Sequence, residues 1–226
     1  MSDHQLFEAS VESKSKAKQY RIVAFVAWII AIGAELFAIM NLINSDRLIW
    51  LIVTIVIMLI LSVTGNVLWQ KANGLDPASE HDEFQFFVQN QLGAIMAVLA
   101  FLPLVVFIFM SKDADKKTKS IAGVVAIIAM LIAGVSGIDF NPPSVEKYTQ
   151  EINEQTDVLK KLNFDKDNVY WTAAGNKYHV FEDCQHIKGR DEINNGTVKE
   201  SWEKKGISEL CKTCQKRAIR ERTVAE

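Results

Sequence analysis

The sequence predicts a mainly α protein: a four-helix transmembrane bundle followed by a small α+β zinc-binding domain. Three observations carry that expectation. Long apolar runs fill the stretch from residue 22 to residue 138, whereas residues 141–226 are polar and densely charged. All 3 cysteines of the 226-residue chain fall in the polar stretch, at Cys184, Cys211 and Cys214. The near balance of 25 Lys+Arg against 27 Asp+Glu and the mean hydropathy of +0.09 therefore average two unlike halves. No overall basic balance points to nucleic acid.

Residues 1–21 form a polar tail carrying Lys14, Lys16, Lys18 and Arg21. No small-residue cleavage pattern follows the first apolar run, so that run is expected to be a permanent span and not a secretory signal. It covers residues 22–43, and at about 1.5 Å per helical residue it crosses a hydrocarbon core of about 30 Å. Residues 44–47 make a turn. The second run, residues 48–69, has Trp50 and Trp69 near its ends, where an interfacial belt would put them. Glu80, His81, Asp82 and Glu83 follow in an acidic linker, read as a solvated helix start. The third span, 86–110, contains Pro103, expected to kink it. A charged loop, 111–119, leads to the fourth span, 120–138, whose Gly123, Ala126, Ala133 and Gly134 suit close helix packing. The chain thus divides into a tail (1–21), a four-helix membrane domain (22–138), a linker (139–168) and a zinc-binding domain (169–226).

Inside the spans, Glu35 stands out. A carboxyl within a span is a functional candidate by default, because burying it is costly unless it is paired or protonated. Asn66, Asn90 and Gln91 are its candidate polar partners. The bland alternative is a helix–helix hydrogen bond that holds the bundle together. No intramembrane Lys or Arg accompanies Glu35, which is thin ground for a solute transporter.

Pro142 and Pro143 end the last span, since the residue before a proline disfavours helix. Within the linker, residues 144–162 read as an amphipathic helix capped by Ser144, with Val145, Tyr148, Ile152, Val158 and Leu159 near helical spacing. Residues 169–172 and 177–181 are β-prone around a turn, predicting a hairpin with His179 on its second arm. Residues 197–205 read as a helix closed by Gly206, and residues 215–222 as a basic terminal helix.

His179, Cys184, Cys211 and Cys214 have the composition and spacing of a closed tetrahedral zinc site. The Cys-x-x-Cys pair brings two thiolates from one turn, and the His-x4-Cys pair brings the rest. His186, two residues after Cys184, is a rival ligand to His179. Four protein ligands leave no open position for water, so a structural role outranks a catalytic one. A Cys-x-x-Cys redox pair would open a helix in a thioredoxin-like βαβ setting, for which the sequence gives no sign. No Gly-rich phosphate loop, His-Glu-x-x-His or nucleophile elbow occurs.

The strings VYWTAAGNKYHVFEDCQHI and GTVKESWEKKGISELCKTC resemble the metal-binding module of the Ada DNA-repair protein family and its relatives. The resemblance covers about residues 169–217. It favours His179 over His186 as the ligand, in the position where that family has its first cysteine, and so implies a site of three cysteines and one histidine holding Zn2+. It implies little about activity, because such modules are appended to many unrelated proteins.

The expected partners are the lipid bilayer and a protein bound by the C-terminal domain. Lys212, Lys216, Arg217, Arg220 and Arg222 could touch phosphates of nucleic acid or anionic lipid, against the plainer reading of a solvated helix. Positive-inside counting conflicts: the basic tail and the loop carrying Lys112, Lys116, Lys117 and Lys119 lie on opposite faces of a four-span protein. Thiolate sites persist best in a reducing compartment, which argues for cytoplasmic termini in a multi-pass cell-membrane protein. The expected function is non-enzymatic interaction or sensing through a zinc module. The alternatives are a membrane-tethered thiol enzyme or nucleic-acid-contacting module, and small-solute transport at Glu35.

Overall fold

A computed structural model describes residues 6–162 and 166–225. Residues 1–5 of the expected tail, 163–165 of the linker and 226 lie outside the described residues. The chain is mainly α and divides into two compact units.

One unit comprises residues 16–74 and 81–142. It is built from four helices long and apolar enough to cross a membrane: α1 (Val11–Asn41), α2 (Leu48–Leu75), α3 (Glu83–Met110) and α4 (Lys116–Gly137). The polar residues before the first apolar run are thus already helical from Val11. A 3-10 turn, Ser45–Arg47, joins α1 to α2, and the Asn44 side chain accepts from the Arg47 N–H. Asp82 and Asp115 cap α3 and α4 by accepting from Gln85 and Thr118 N–H groups. The acidic linker therefore ends as a helix cap.

The core of this unit joins Ala31 and Ala38 of α1, Leu51, Ile55 and Met58 of α2, Phe101, Leu104 and Ile108 of α3, and Ala122, Ala126 and Ala133 of α4. Many large apolar side chains on the outward faces are exposed, such as Ile29, Ile60, Phe107 and Leu131. That is the inverse of a water-soluble surface and fits a lipid solvent. Helices α3 and α4 approach closely at Gly93 and Gly137: a Cβ on Gly137 would lie 2.4 Å from the backbone of α3. Gly123 and Ala133 are buried as the small-residue expectation requires, whereas Gly134 has nothing within 4 Å of a Cβ.

The other unit gathers residues 1–15, 75–80 and 143–226. It contains α5 (Val145–Leu162), β1 (Val169–Thr172), β2 (Lys177–Tyr178), β3 (Ile193–Gly196), α6 (Val198–Lys205), β4 (Glu209–Leu210) and α7 (Lys212–Ala225). Ser144 caps α5 through the Lys147 N–H at 3.0 Å. Ile152 and Leu159 are buried, but Val158 faces out. The expected hairpin is reduced to one antiparallel bridge, Tyr170 to His179, with both N–H···O bonds at 2.7 Å. The longer pairing of β1 is with β3, antiparallel, and β2 pairs in parallel with β4. A capping box from Thr197 and Glu200 starts α6, and Gly206 ends it at φ 64, the left-handed conformation that glycine adopts without strain.

Two small cores hold this unit. One packs Leu159, Val169, Trp171, Tyr178, Ile187, Val198 and Ile207 around the cysteines. The other seats Phe7 and Ala9 against Ile152 and Trp202. Phe7 meets Tyr148 edge-on at 5.2 Å between ring centroids, and its N–H donates to Thr149 Oγ1 at 2.8 Å. The N-terminal segment is thus a strap across α5 and α6, a role that its polar composition concealed.

Candidate metal centre

The donor atoms of His179, Cys184, Cys211 and Cys214 all lie within 4.8 Å of one another, and all four residues are buried. Each is delivered by a short piece of regular structure. His179 sits at the end of β2, fixed by its bridge to Tyr170. Cys184 opens a tight turn, with Ile187 and Lys188 N–H groups donating to its carbonyl at 2.9 and 2.8 Å. The Cys211 N–H donates to the Tyr178 carbonyl at 2.9 Å, extending the β2–β4 pairing by one residue. Its carbonyl accepts from Gln215 at 3.0 Å, so Cys211 also starts α7. Cys214 lies in the first turn of that helix. The Cys-x-x-Cys pair does open a helix, but β4 before it is two residues long and its only strand partner among the described residues is β2. That is not a βαβ unit.

The donor set fits a zinc ion. Zinc bonds of about 2.0 Å to nitrogen and about 2.3 Å to sulfur place tetrahedral ligand atoms about 3.5–3.8 Å apart. Cys214 Sγ lies 3.6 Å from His179 Nδ1. Burial lowers the His179 ring below its ordinary value, assisted by the neighbouring His186, which favours the neutral, ligating form. Burial pushes the Cys214 thiol up to about 12. At Cys211 burial also opposes ionisation, but backbone N–H groups of Cys214 and Thr213, together with hydrogen bonds to the Cys184 and Cys214 side chains, outweigh it and hold the thiol below its usual value. Those N–H groups are the donors that the start of a helix offers an anion.

His186 is exposed. Its Nε2 is 3.1 Å from Thr213 Oγ1, and its ring centroid is 6.3 Å from that of His179. It stands beside the four-donor cluster and not within it. A cavity of about 760 Å³ opens next to the cluster, with Lys177, His179, His186, Arg190, Cys211 and Lys212 among its walls. In the basic terminal helix, Arg217 is committed locally. It lies 4.1 Å from the Phe181 ring centroid and bonds Asp183 at 2.7 Å and Glu221 at 2.8 Å.

Sequence reading missed Gln155. The buried Tyr178 hydroxyl donates to Gln155 Oε1 at 3.0 Å, tying α5 to the strand that ends in His179, and burial pushes that hydroxyl up to about 12. That partner lies on a helix more than twenty residues earlier, where nothing local marks it.

Among the polar residues of the bundle, Glu35 is buried and Oε1 accepts from the Leu104 N–H at 3.1 Å. Its partner is thus backbone beside Pro103, not Asn66, Asn90 or Gln91. Asn66 instead joins three helices: Oδ1 accepts from Trp28 Nε1 at 3.2 Å, and Nδ2 donates to the Ala133 carbonyl and Ser136 Oγ, both at 2.9 Å. Asn90 Nδ2 donates to the Phe86 carbonyl of its own helix at 2.9 Å, and Gln91 is half-buried.

No protein-family model matches the chain, and comparisons with curated proteins and with solved structures return no match.

Proposed function

We propose that the chain is a multi-pass membrane protein whose C-terminal unit folds around a structural zinc ion held by His179, Cys184, Cys211 and Cys214, and that this unit serves interaction or sensing and not catalysis. The observation that carries the reading is the gathering of four buried donors within 4.8 Å. A set of three thiolates and one imidazole suits zinc and satisfies its coordination without water, so no position is left for a substrate. Once bound, the ion would cross-link β2, the Cys184 turn and the start of α7. The Ada-type resemblance supports the same ligand set. Zinc thiolates favour a reducing compartment, and we assign both termini to the cytoplasm on that ground. A protein partner of the module is the corresponding expectation for its binding.

The test is metal analysis of the full-length protein in detergent, wild type and Cys211→Ser. One zinc per chain, lost together with protease resistance of the C-terminal unit in the variant, supports the reading. A metal-free wild type with an intact C-terminal unit overturns it.

A second reading rests on the cavity beside Cys211, which Arg190 and Lys212 also border. In it, a membrane-tethered thiol enzyme or nucleic-acid-contacting module uses Cys211 or Cys184. Salt-sensitive DNA binding by the full-length protein, weakened by Arg190→Ala and Lys212→Ala, separates it from the first.

A further inference from the structure

Polar groups are unevenly distributed inside the bundle. Ser62, Asn66, Trp69 and Asn73 recur on α2 at helical spacing and are all buried. Asn90, Gly93 and Ala97 do the same on α3. At one end, Asn73 Nδ2 and Trp69 Nε1 both donate to the Gln89 carbonyl, at 2.8 and 2.6 Å. Gln70 Nε2 reaches the Ser136 carbonyl at 3.0 Å, and Asn66 reaches Ser136 Oγ. A polar seam therefore runs inward from the end where α2 and α4 finish.

Glu35 lies deeper in the bundle than this seam. The Trp28–Asn66 bond sets those residues at one depth. Seven residues along α1 from Trp28, Glu35 lies about 10 Å deeper, and four residues back along α2, Ser62 lies about 6 Å deeper. By helical rise, Ser62 is thus the buried polar group of α2 nearest to Glu35 in depth. Beyond Glu35 the buried side chains are Ala38 and Leu42, Ile55 and Leu51, Val105 and Ile108, and Ala126 and Ala122. The next buried polar side chain among the described residues is Thr118, in the first turn of α4 at the far end.

Three oxygens in the polar half, Ser62 Oγ, Asn73 Oδ1 and Asn90 Oδ1, are buried without a hydrogen-bond partner among the described residues. Their residues are 1%, 1% and 4% exposed. Leaving such acceptors dry costs about 1–3 kcal/mol each, and internal water is the usual remedy at a polar site. Glu35 itself, 2% exposed, takes one hydrogen bond among the described residues. No other titratable residue lies in the apolar runs. The other charged groups of the packed helices lie outside those runs: Glu12, Lys14, Lys16, Lys18 and Arg21 of α1, Lys71 of α2, Glu83 of α3, and Lys116, Lys117 and Lys119 of α4.

We propose that Glu35 is a proton-binding site reached from one end of the bundle only, through internal waters held at Ser62, Asn73 and Asn90. With no cation beside it, the carboxyl meets its burial by carrying a proton. The step is a transfer of H+ alone: a carboxyl O–H bond breaks as a water O–H bond forms, and the reverse. The apolar half lets no water past, so the site takes up and returns its proton on the same side. This inference is independent of the zinc centre.

The test is infrared spectroscopy of the full-length protein in phosphatidylcholine vesicles switched from H2O to D2O. A protonated carboxyl band, identified by its loss in Glu35→Gln, is expected to shift far faster than the buried bundle amides exchange. Asn90→Leu at the polar end should slow that shift by an order of magnitude or more, and Thr118→Val at the apolar end should leave it unchanged. Absence of a Glu35-dependent band, or a wild-type shift no faster than the core amides, overturns the proposal even if Asn90→Leu fails to fold. A shift slowed by Thr118→Val overturns one-sided access.

Discussion

Lowering the pH from about 8 to about 6.5 should weaken zinc binding at least 30-fold, or about 2 kcal/mol. The Cys214 thiol, pushed up to about 12 by burial, keeps its proton throughout that window in the metal-free protein. Bound as a thiolate it has none. The metal-bound state therefore holds fewer protons, and acid favours the metal-free one. One proton contributes about tenfold per pH unit, and three thiols set the ceiling. Hydrogen bonds at Cys211 favour its thiolate and reduce its share. Burial lowers the His179 ring and so favours the neutral form that ligates. Chelator competition on the full-length protein at several pH values gives the slope, and calorimetry in buffers of different ionisation enthalpy counts the protons. An affinity that stays flat across the window, or release of less than one proton, would refute a thiolate-bound ion at this cluster.

Three further outcomes follow from the same geometry. His179→Ala should lose zinc stoichiometry while His186→Ala retains it, because only His179 lies within the four-donor cluster; metal analysis of the two variants checks this. Gly137→Ala should destabilise the bundle by about 1–3 kcal/mol, since its Cβ meets α3 backbone that cannot step aside. Gly134→Ala, with open space, should be neutral or stabilising by up to about 1 kcal/mol, and detergent-induced unfolding compares them. Phe7→Ala should loosen the N-terminal strap by about 3 kcal/mol, the lower end for removing a buried phenyl, and is read as faster proteolysis before α1.

What could be read from the sequence was whatever lies close along it. Apolar length gave four spans, and the ends of α6 were legible in Thr197 and Gly206 because caps are local chemistry. The metal donors were legible because three cysteines in one short stretch have few alternative uses. Long-range pairings were not. Ile193, Asn194 and Asn195 carry little strand signal, yet they form β3 because Trp171 and Val169 of β1 need an antiparallel neighbour to complete the core. Glu35 was legible as an anomaly, but its partner was not, since a backbone N–H beside Pro103 leaves no side-chain signature. Likewise Gly93 gives no clue that Gly137 is its counterpart across the α3–α4 crossing.

The N-terminal unit boundary also bears on topology. Phe7 is bonded to Thr149, the Val145 N–H donates to the Ala78 carbonyl at 3.2 Å, and Ser79 is bonded to Glu146. These contacts join segments that precede α1, link α2 to α3, and follow α4. Segments in mutual hydrogen bonds occupy one aqueous compartment, because no bilayer can separate them. Each helical hairpin must then leave and return on the same side, which gives an even number of crossings without reference to hydropathy. The conflict in positive-inside counting between Lys14, Lys16 and Lys18 and Lys112 therefore does not come from an odd number of spans. Charge bias this evenly divided sets orientation weakly. The stronger constraint is a C-terminal unit that completes itself only with the N-terminal strap and the α2–α3 link on its own side.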